Sequence, residues 1–184
     1  GYLGLGSNST SALFDFWEYT PACLPMWASI PDVFAVNPGG NANTIYIGYG
    51  PSSLTLTANG SGGYPVPGGN YMYKWSTGET TASIVVSPAV VGMHHYSVTV
   101  TDDNGCTANA SKTVYVVDLR CGNNKVSICK VPPDNPANAN TICISKNAVA
   151  VQLSSGSYLG NCVGEIVQKP VTAIVPEMVS EEEQ

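Results

Sequence analysis

Charge is what this chain has least of. Asp, Glu, Lys and Arg make up 11% of its 184 residues, where an average soluble domain carries roughly 25%. Coiled coils, charged helical bundles and nucleic-acid binders all need more. The charge present leans acidic, 13 side chains against 7, for a formal net charge of −6, which repels phosphate backbones and anionic headgroups. No uninterrupted apolar run comes near the roughly 20 residues of a spanning helix, which argues against helical insertion into a membrane. Catalytic signatures are missing as well. There is no Gly-x-Ser-x-Gly and no His-Glu-x-x-His, and Gly4-Leu5-Gly6 and Gly48-Tyr49-Gly50 lack the third glycine and following helix of a phosphate-binding loop. Neither an initiator Met nor a signal peptide opens the chain, so a removed leader or a piece of a longer chain is expected.

Cysteine, by contrast, is plentiful. Cys23, Cys106, Cys121, Cys129, Cys143 and Cys162 form an even set, and the last four crowd together. None makes a Cys-x-x-Cys pair and no histidine lies among those four, so zinc and thioredoxin-like sites lose their spacing evidence. Three disulfides in an oxidising, extracellular setting are expected. Connectivity stays open among 15 pairings.

Four regions follow along the chain. Residues 1–28 read as two short strands around a small-residue turn, built on Leu13, Phe14, Phe16 and Trp17; two strands alone are marginal in water and must pack on this chain or a neighbour. Residues 29–118 alternate strand and turn. The predicted strands are Val33–Val36, Thr44–Tyr49, Ser53–Ala58, Tyr71–Ser76, Ala82–Ser87, His95–Thr101 and Lys112–Val117. The runs Asn59-Gly60-Ser61-Gly62-Gly63, Pro67-Gly68-Gly69-Asn70, Thr77-Gly78-Glu79 and Asp103-Asn104-Gly105 read as turns. This spacing fits an immunoglobulin-like β-sandwich with Trp75 at its centre and Tyr96, Val98 and Val100 on one inward face. Residues 119–164 form a small disulfide-rich module with a strand near Thr141–Ile144 and one short helix, N-capped by Ser145 and stopped by Gly156. So few residues bury little core, which is why crosslinks are expected there. Closing the Cys129–Cys143 loop would stabilise by roughly 3 kcal/mol. The tail, 165–184, alternates Val171, Ile174, Val175 and Val179 before ending in three glutamates; alone, such a terminus frays.

The stretches Asn43-Thr44-Ile45-Tyr46-Ile47-Gly48-Tyr49-Gly50-Pro51, Tyr73-Lys74-Trp75-Ser76-Thr77-Gly78-Glu79 and Tyr96-Ser97-Val98-Thr99-Val100-Thr101-Asp102-Asp103-Asn104-Gly105-Cys106 resemble the immunoglobulin-like, PKD-like repeats of large Bacteroidota surface proteins. Those proteins are similar to adhesins exported by type IX secretion. The resemblance implies a bacterial cell-surface or extracellular location, and pairing of Cys23 with Cys106. The following module resembles a second element of the same proteins: its frame stands as Cys129, Pro132-Pro133, Asn135-Pro136, Thr141-Ile142-Cys143, Ala148-Val149, Leu159-Gly160 and Cys162. The family's histidines are replaced here by Lys130, Gln152 and Ser155, and its Asp by Ser157, so any metal binding they supported is expected to be lost. Asp15-Phe16-Trp17-Glu18-Tyr19 resembles the end of a kelch propeller blade, and one repeat cannot close a propeller.

Remaining candidates have plainer explanations. His94 and His95 are adjacent, so on a strand they point to opposite faces and do not chelate one ion together. Asp102-Asp103-Asn104-Gly105 lacks the alternating ligands and distal Glu of a calcium loop and reads as a hairpin turn. Asp15 and Glu18 are two carboxylates without a cleft to frame a sugar. Tyr46, Tyr49, Tyr64, Tyr71 and Tyr73 offer rings that stack on glycans or fill cores. Asn-x-Ser/Thr sequons stand at Asn8, Asn59 and Asn109.

The reading is a non-enzymatic, extracellular structural or adhesive protein with no cofactor or metal, partnered by itself or by a cell-surface glycan, and with no nucleic-acid or membrane-inserted role. In its sharpest form, terminal strands carrying Leu13, Phe14, Phe16 and Trp17, or Val171, Ile174 and Val175, complete a neighbour's sheet to build a filament. The alternatives are a C-terminal accessory fragment of a larger secreted enzyme or propeller protein, and a carbohydrate-binding module.

Overall fold

The computed structural model describes residues 22–162. The expected assembly residues Leu13, Phe14, Phe16, Trp17, Val171, Ile174 and Val175 lie outside the described residues, as do Asp15 and Glu18.

The larger body is built from β1 (Met26–Ser29), β2 (Thr44–Ile47), β3 (Leu54–Thr57), β4 (Asn59–Gly62), β5 (Met72–Trp75), β6 (Ser83–Val86), β7 (Gly92–Thr101) and β8 (Thr107–Asp118). Period-two alternation sets their faces. Leu54, Leu56, Ile84 and Val86 are buried, while Thr55, Thr57, Ser83 and Val85 face out. One layer has the order β2-β8-β7-β5, anchored by the β7–β8 hairpin, whose register runs from Gly92↔Val116 to Thr101↔Thr107. β2 joins its far side in parallel. In the other layer β3 pairs with β6, and β4, which resumes after Ala58, pairs with β1. Between the layers lie Ile45, Leu56, Trp75, Ile84, Val98, Val100, Val114 and Val116, with half-buried Tyr96 packed against them. The Trp75 indole N–H donates to the Thr81 carbonyl at 2.8 Å, so the largest core side chain leaves no buried donor unpaired. This is an immunoglobulin-like β-sandwich.

Two expectations fail for physical reasons. Asn59–Gly62 is a strand, not a turn. Its glycines admit close neighbours: a Cβ on Gly60 would lie 2.7 Å from the Tyr71 ring, and one on Gly62 would lie 2.2 Å from the Pro25 carbonyl and 3.0 Å from the Trp27 ring. Val33–Val36 is a loop, not a strand. Asn43, in the left-handed region at φ 53°, draws it in: its side-chain oxygen accepts from the Val33 N–H at 3.0 Å and its own N–H donates to the Val33 carbonyl at 2.6 Å. The Asn43 amide also donates to Asp32, whose carboxylate receives Lys112 at 2.7 Å. The sandwich also starts earlier than expected, since β1 begins at Met26.

Beyond the sandwich come β9 (Arg120–Gly122), β10 (Lys125–Lys130), a 3₁₀ turn at Pro136–Asn138, β11 (Asn140–Ser145), α1 (Lys146–Ser154) and β12 (Tyr158–Leu159). Ser145 is the N-cap residue of α1, Val149 and Leu153 fall one turn apart on its buried face, and Gly156 at φ 93° follows its end. A second core gathers Leu119, Val126, Ile128, Val149, Leu153 and Leu159 around the ring of Tyr46, which comes from β2 of the sandwich. Backbone bonds cross the same seam, from Leu119 N–H to the Ile47 carbonyl at 3.0 Å and from Leu159 N–H to the Gly39 carbonyl at 2.8 Å. At the joint, Arg120 and Asp118 pair at 2.6 Å, and hydrogen bonds from the Arg120 side chain hold the Asp118 carboxyl at a pKa of about 2.

Candidate functional site

The seam between the two cores opens into a cleft of about 730 Å³. One wall is the Gly48-Tyr49-Gly50 corner after β2, another is Ser87-Pro88-Ala89 after β6, and Lys146 and Asn147 at the start of α1 close it. The corner requires glycine. Gly48 and Gly50 sit at φ 108° and 77°, and added Cβ atoms would lie 2.9 Å from Arg120 Cγ and 2.6 Å from Val36 Cγ2. The lining presents two tyrosine rings, Tyr49 half-buried and Tyr46 buried, with an amide, the hydroxyls of Ser52 and Ser87 and one ammonium, and no carboxylate. A lining of this kind, rings beside hydroxyl, amide and ammonium groups, has the chemistry to take a polar, hydroxyl-rich ligand.

The tyrosines divide sharply. Tyr46 is buried in the second core, Tyr71 and Tyr73 pack against the first, and the Tyr71 hydroxyl donates to the Gly62 carbonyl at 2.9 Å. Tyr64 alone of the five is exposed, and Tyr49, half-buried, lines the cleft beside the buried Tyr46. The sequence row of rings is therefore mostly packing.

All six cysteines are bridged: Cys23–Cys106, Cys121–Cys143 and Cys129–Cys162. A Cys129–Cys143 closure is ruled out by register. Across β10 and β11, Cys129 faces Thr141 and Cys143 faces Ser127, which puts the two on a diagonal of about 7–8 Å, beyond disulfide reach. Cys121 instead lies where β9 shifts register against β10, and it takes Cys143 at a Cα separation of 6.0 Å. The Cys162 N–H donates to Thr141 Oγ1 at 2.9 Å, setting that end beside Cys129.

The Asp102 turn carries more structure than its sequence discloses. The Asp102 side chain is fully buried and accepts backbone N–H bonds from Tyr64 at 2.9 Å, Asn104 at 3.0 Å and Cys106 at 2.8 Å. Those bonds, that from Tyr64 foremost, hold its carboxyl below the usual carboxylate range. Asp102 thereby ties the β7–β8 turn to the end of β4 and positions Cys106 for its bridge. The available signal was the invitation of Asp followed by Asn-Gly to cap its own turn. His94 Nε2 meets the Val90 carbonyl at 2.8 Å and His95 Nδ1 meets Thr113 Oγ1 at 2.9 Å, so each ring has its own partner. Among the described residues, no three His, Cys, Asp or Glu side chains cluster as metal ligands, and no helix is long and apolar enough to cross a membrane.

No protein family and no curated protein matches the chain. Among solved structures, it is similar to the solution structure of the PKD domain from human KIAA0319, with 19% identity over 53% of this chain and 86% of that one and a TM-score of 0.38.

Proposed function

We propose that this chain is an extracellular, non-catalytic building block with a structural or adhesive role at a bacterial surface, joined to its neighbours by addition of terminal strands. The observation that carries the reading is the placement of the disulfides. Cys23 stands just before β1 and Cys162 just after β12, and each is bonded to a buried cysteine, Cys106 and Cys129. A part that is pulled on from both ends needs such anchorage, and three bridges suit an oxidising compartment. The resemblance to type IX-exported surface adhesins agrees with it. Sheet addition supplies the joint, because backbone hydrogen bonds give affinity and a head-to-tail contact that does not close gives fibres.

Electron microscopy of the native protein tests assembly: filaments are expected, and monodisperse monomers at every concentration would sink it. Replacing Val171 and Val175 together by Asp is expected to abolish filaments while leaving the circular dichroism of the body unchanged. A second reading is favoured by the cleft. Glycan binding there predicts an array signal that falls on Tyr49→Ala and persists on Tyr64→Ala; a signal indifferent to Tyr49 overturns it.

A further inference from the structure

We infer that β6 pairs with β6 of a second copy across a twofold axis, making one continuous sheet, β3-β6-β6-β3, from two molecules. Sheet edges invite pairing, and proteins normally blunt them with Lys, Pro, bulges or a covering segment. The edges differ in this respect. β5 carries Lys74, β2 is buried beneath the second core, and β1 runs beside β8. On β6 none of these devices is present. Among the described residues it pairs only with β3, and Thr80 to Ser87 contains neither charge nor proline.

The register follows from the backbone. Ala58 N–H donates to the Ala82 carbonyl, and the pairing continues as Leu56↔Ile84 and Leu54↔Val86. In an antiparallel ladder every second residue turns both backbone groups to its partner and the alternate residues turn both away. Ala82, Ile84 and Val86 therefore serve β3, while Ser83 and Val85, and by continuation Ser87 just past the end of β6, turn their backbone groups to the outer edge, where the Ser83 carbonyl accepts the Thr81 hydroxyl at 2.7 Å and keeps its second lone pair for a partner. Placed antiparallel to itself about Val85, the strand matches all three: Val85 meets Val85 of the second copy and Ser83 meets its Ser87. The side chains agree with that register, since Ser83 and Ser87 are exposed and Val85 is 68% exposed despite being a β-branched apolar residue. Self-complementarity is what selects a second copy over another partner, and the uncharged stretch lets two chains of net charge −6 approach there. Pro88 ends the match, so the contact closes as a dimer and does not spread.

An interface this short belongs to the weak, small class, so it is read at high concentration. Sedimentation equilibrium of the full chain should show monomer–dimer exchange that strengthens with salt, as screening relieves the shared negative charge. Val85→Lys should leave the fold intact and the protein monomeric. Val85→Cys should oxidise to a covalent dimer with the three native bridges retained on mass mapping, because directly opposed residues of this type have Cα atoms about 5.5 Å apart. Thr55→Cys, one strand further in, should not, as its copies would lie about 14 Å apart. A wild type that stays monomeric, a Val85→Lys variant that still dimerises, or equal crosslinking at both positions overturns the inference. The contact is separate from terminal-strand addition, so Val171→Asp with Val175→Asp should leave it unchanged.

Discussion

Single residues decide where this fold is intolerant. Gly62 holds φ 77° with its α-carbon against the Pro25 carbonyl and the Trp27 ring. Gly62→Ala costs about 1–2 kcal/mol for the left-handed backbone alone, and the clash then parts β1 from β4. A melting temperature at least about 4 °C lower is expected by calorimetry. Asp102 gives the molecule its acid sensitivity. Its carboxyl is held low by backbone donors in the folded state, so its stabilising contribution is complete above the unfolded value of about 4 and is lost as pH falls through the folded one. Asp102→Asn should therefore lower stability at neutral pH and flatten the fall in melting temperature below pH about 4, measured as an unfolding series across pH. Neither residue announces itself in the sequence. A glycine run reads as a turn until the Tyr71 and Trp27 rings that need its space are seen, and Asp102 looks like any turn acid until its three donors are placed.

At the scale of elements, the strands whose alternation is clean were legible, because one buried face dictates period two: Leu54-Thr55-Leu56 and Tyr96-Ser97-Val98 declare themselves. α1 was legible too, from Ser145, the Val149 and Leu153 spacing, and Gly156. Val33–Val36 was not, since its apolar content matches a strand and only the distant Asn43 turns it into a loop. Bridge connectivity was hidden for a similar reason: the choice between Cys129–Cys143 and the observed pairs depends on the β10–β11 register, which spacing along the chain does not encode. By loop-closure entropy the Cys129–Cys162 bridge, whose ends are 33 positions apart in sequence, stabilises by about 3.7 kcal/mol. Replacing both cysteines by Ala should raise amide exchange in β10, β12 and α1 well before it does so in the β7–β8 hairpin, as hydrogen-exchange mass spectrometry would show.

For the whole molecule, the informative contact is the one that makes two cores act as one. Tyr46 leaves a sandwich strand to fill the second core, and its hydroxyl accepts the buried Asn41 N–H at 2.7 Å. Tyr46→Phe strands that donor at a cost of about 1–3 kcal/mol; Tyr46→Ala should separate a single thermal transition into two in calorimetry. Burial also holds the Tyr46 phenol above its ordinary range, so the stability it lends is present below pH about 10 and declines as pH rises past it. From the sequence the region after residue 118 looks like a separate appendage; the shared ring that joins it belongs to the strand Thr44–Ile47, far upstream. Finally, the bridges define a route for tension. A load applied between Cys23 and Cys162 passes through the Cys23–Cys106 bond, along the 23 residues to Cys129, and out through the Cys129–Cys162 bond. However completely the rest unravels, that tether extends to about 80 Å, against about 480 Å for the 139 residues of unbridged chain. All of β1 to β7, and all of α1, lie off the line of force as slack loops, while β8, β9 and most of β10 carry it, so the molecule behaves under strain as a short leash whose cord is a central strand of the sandwich.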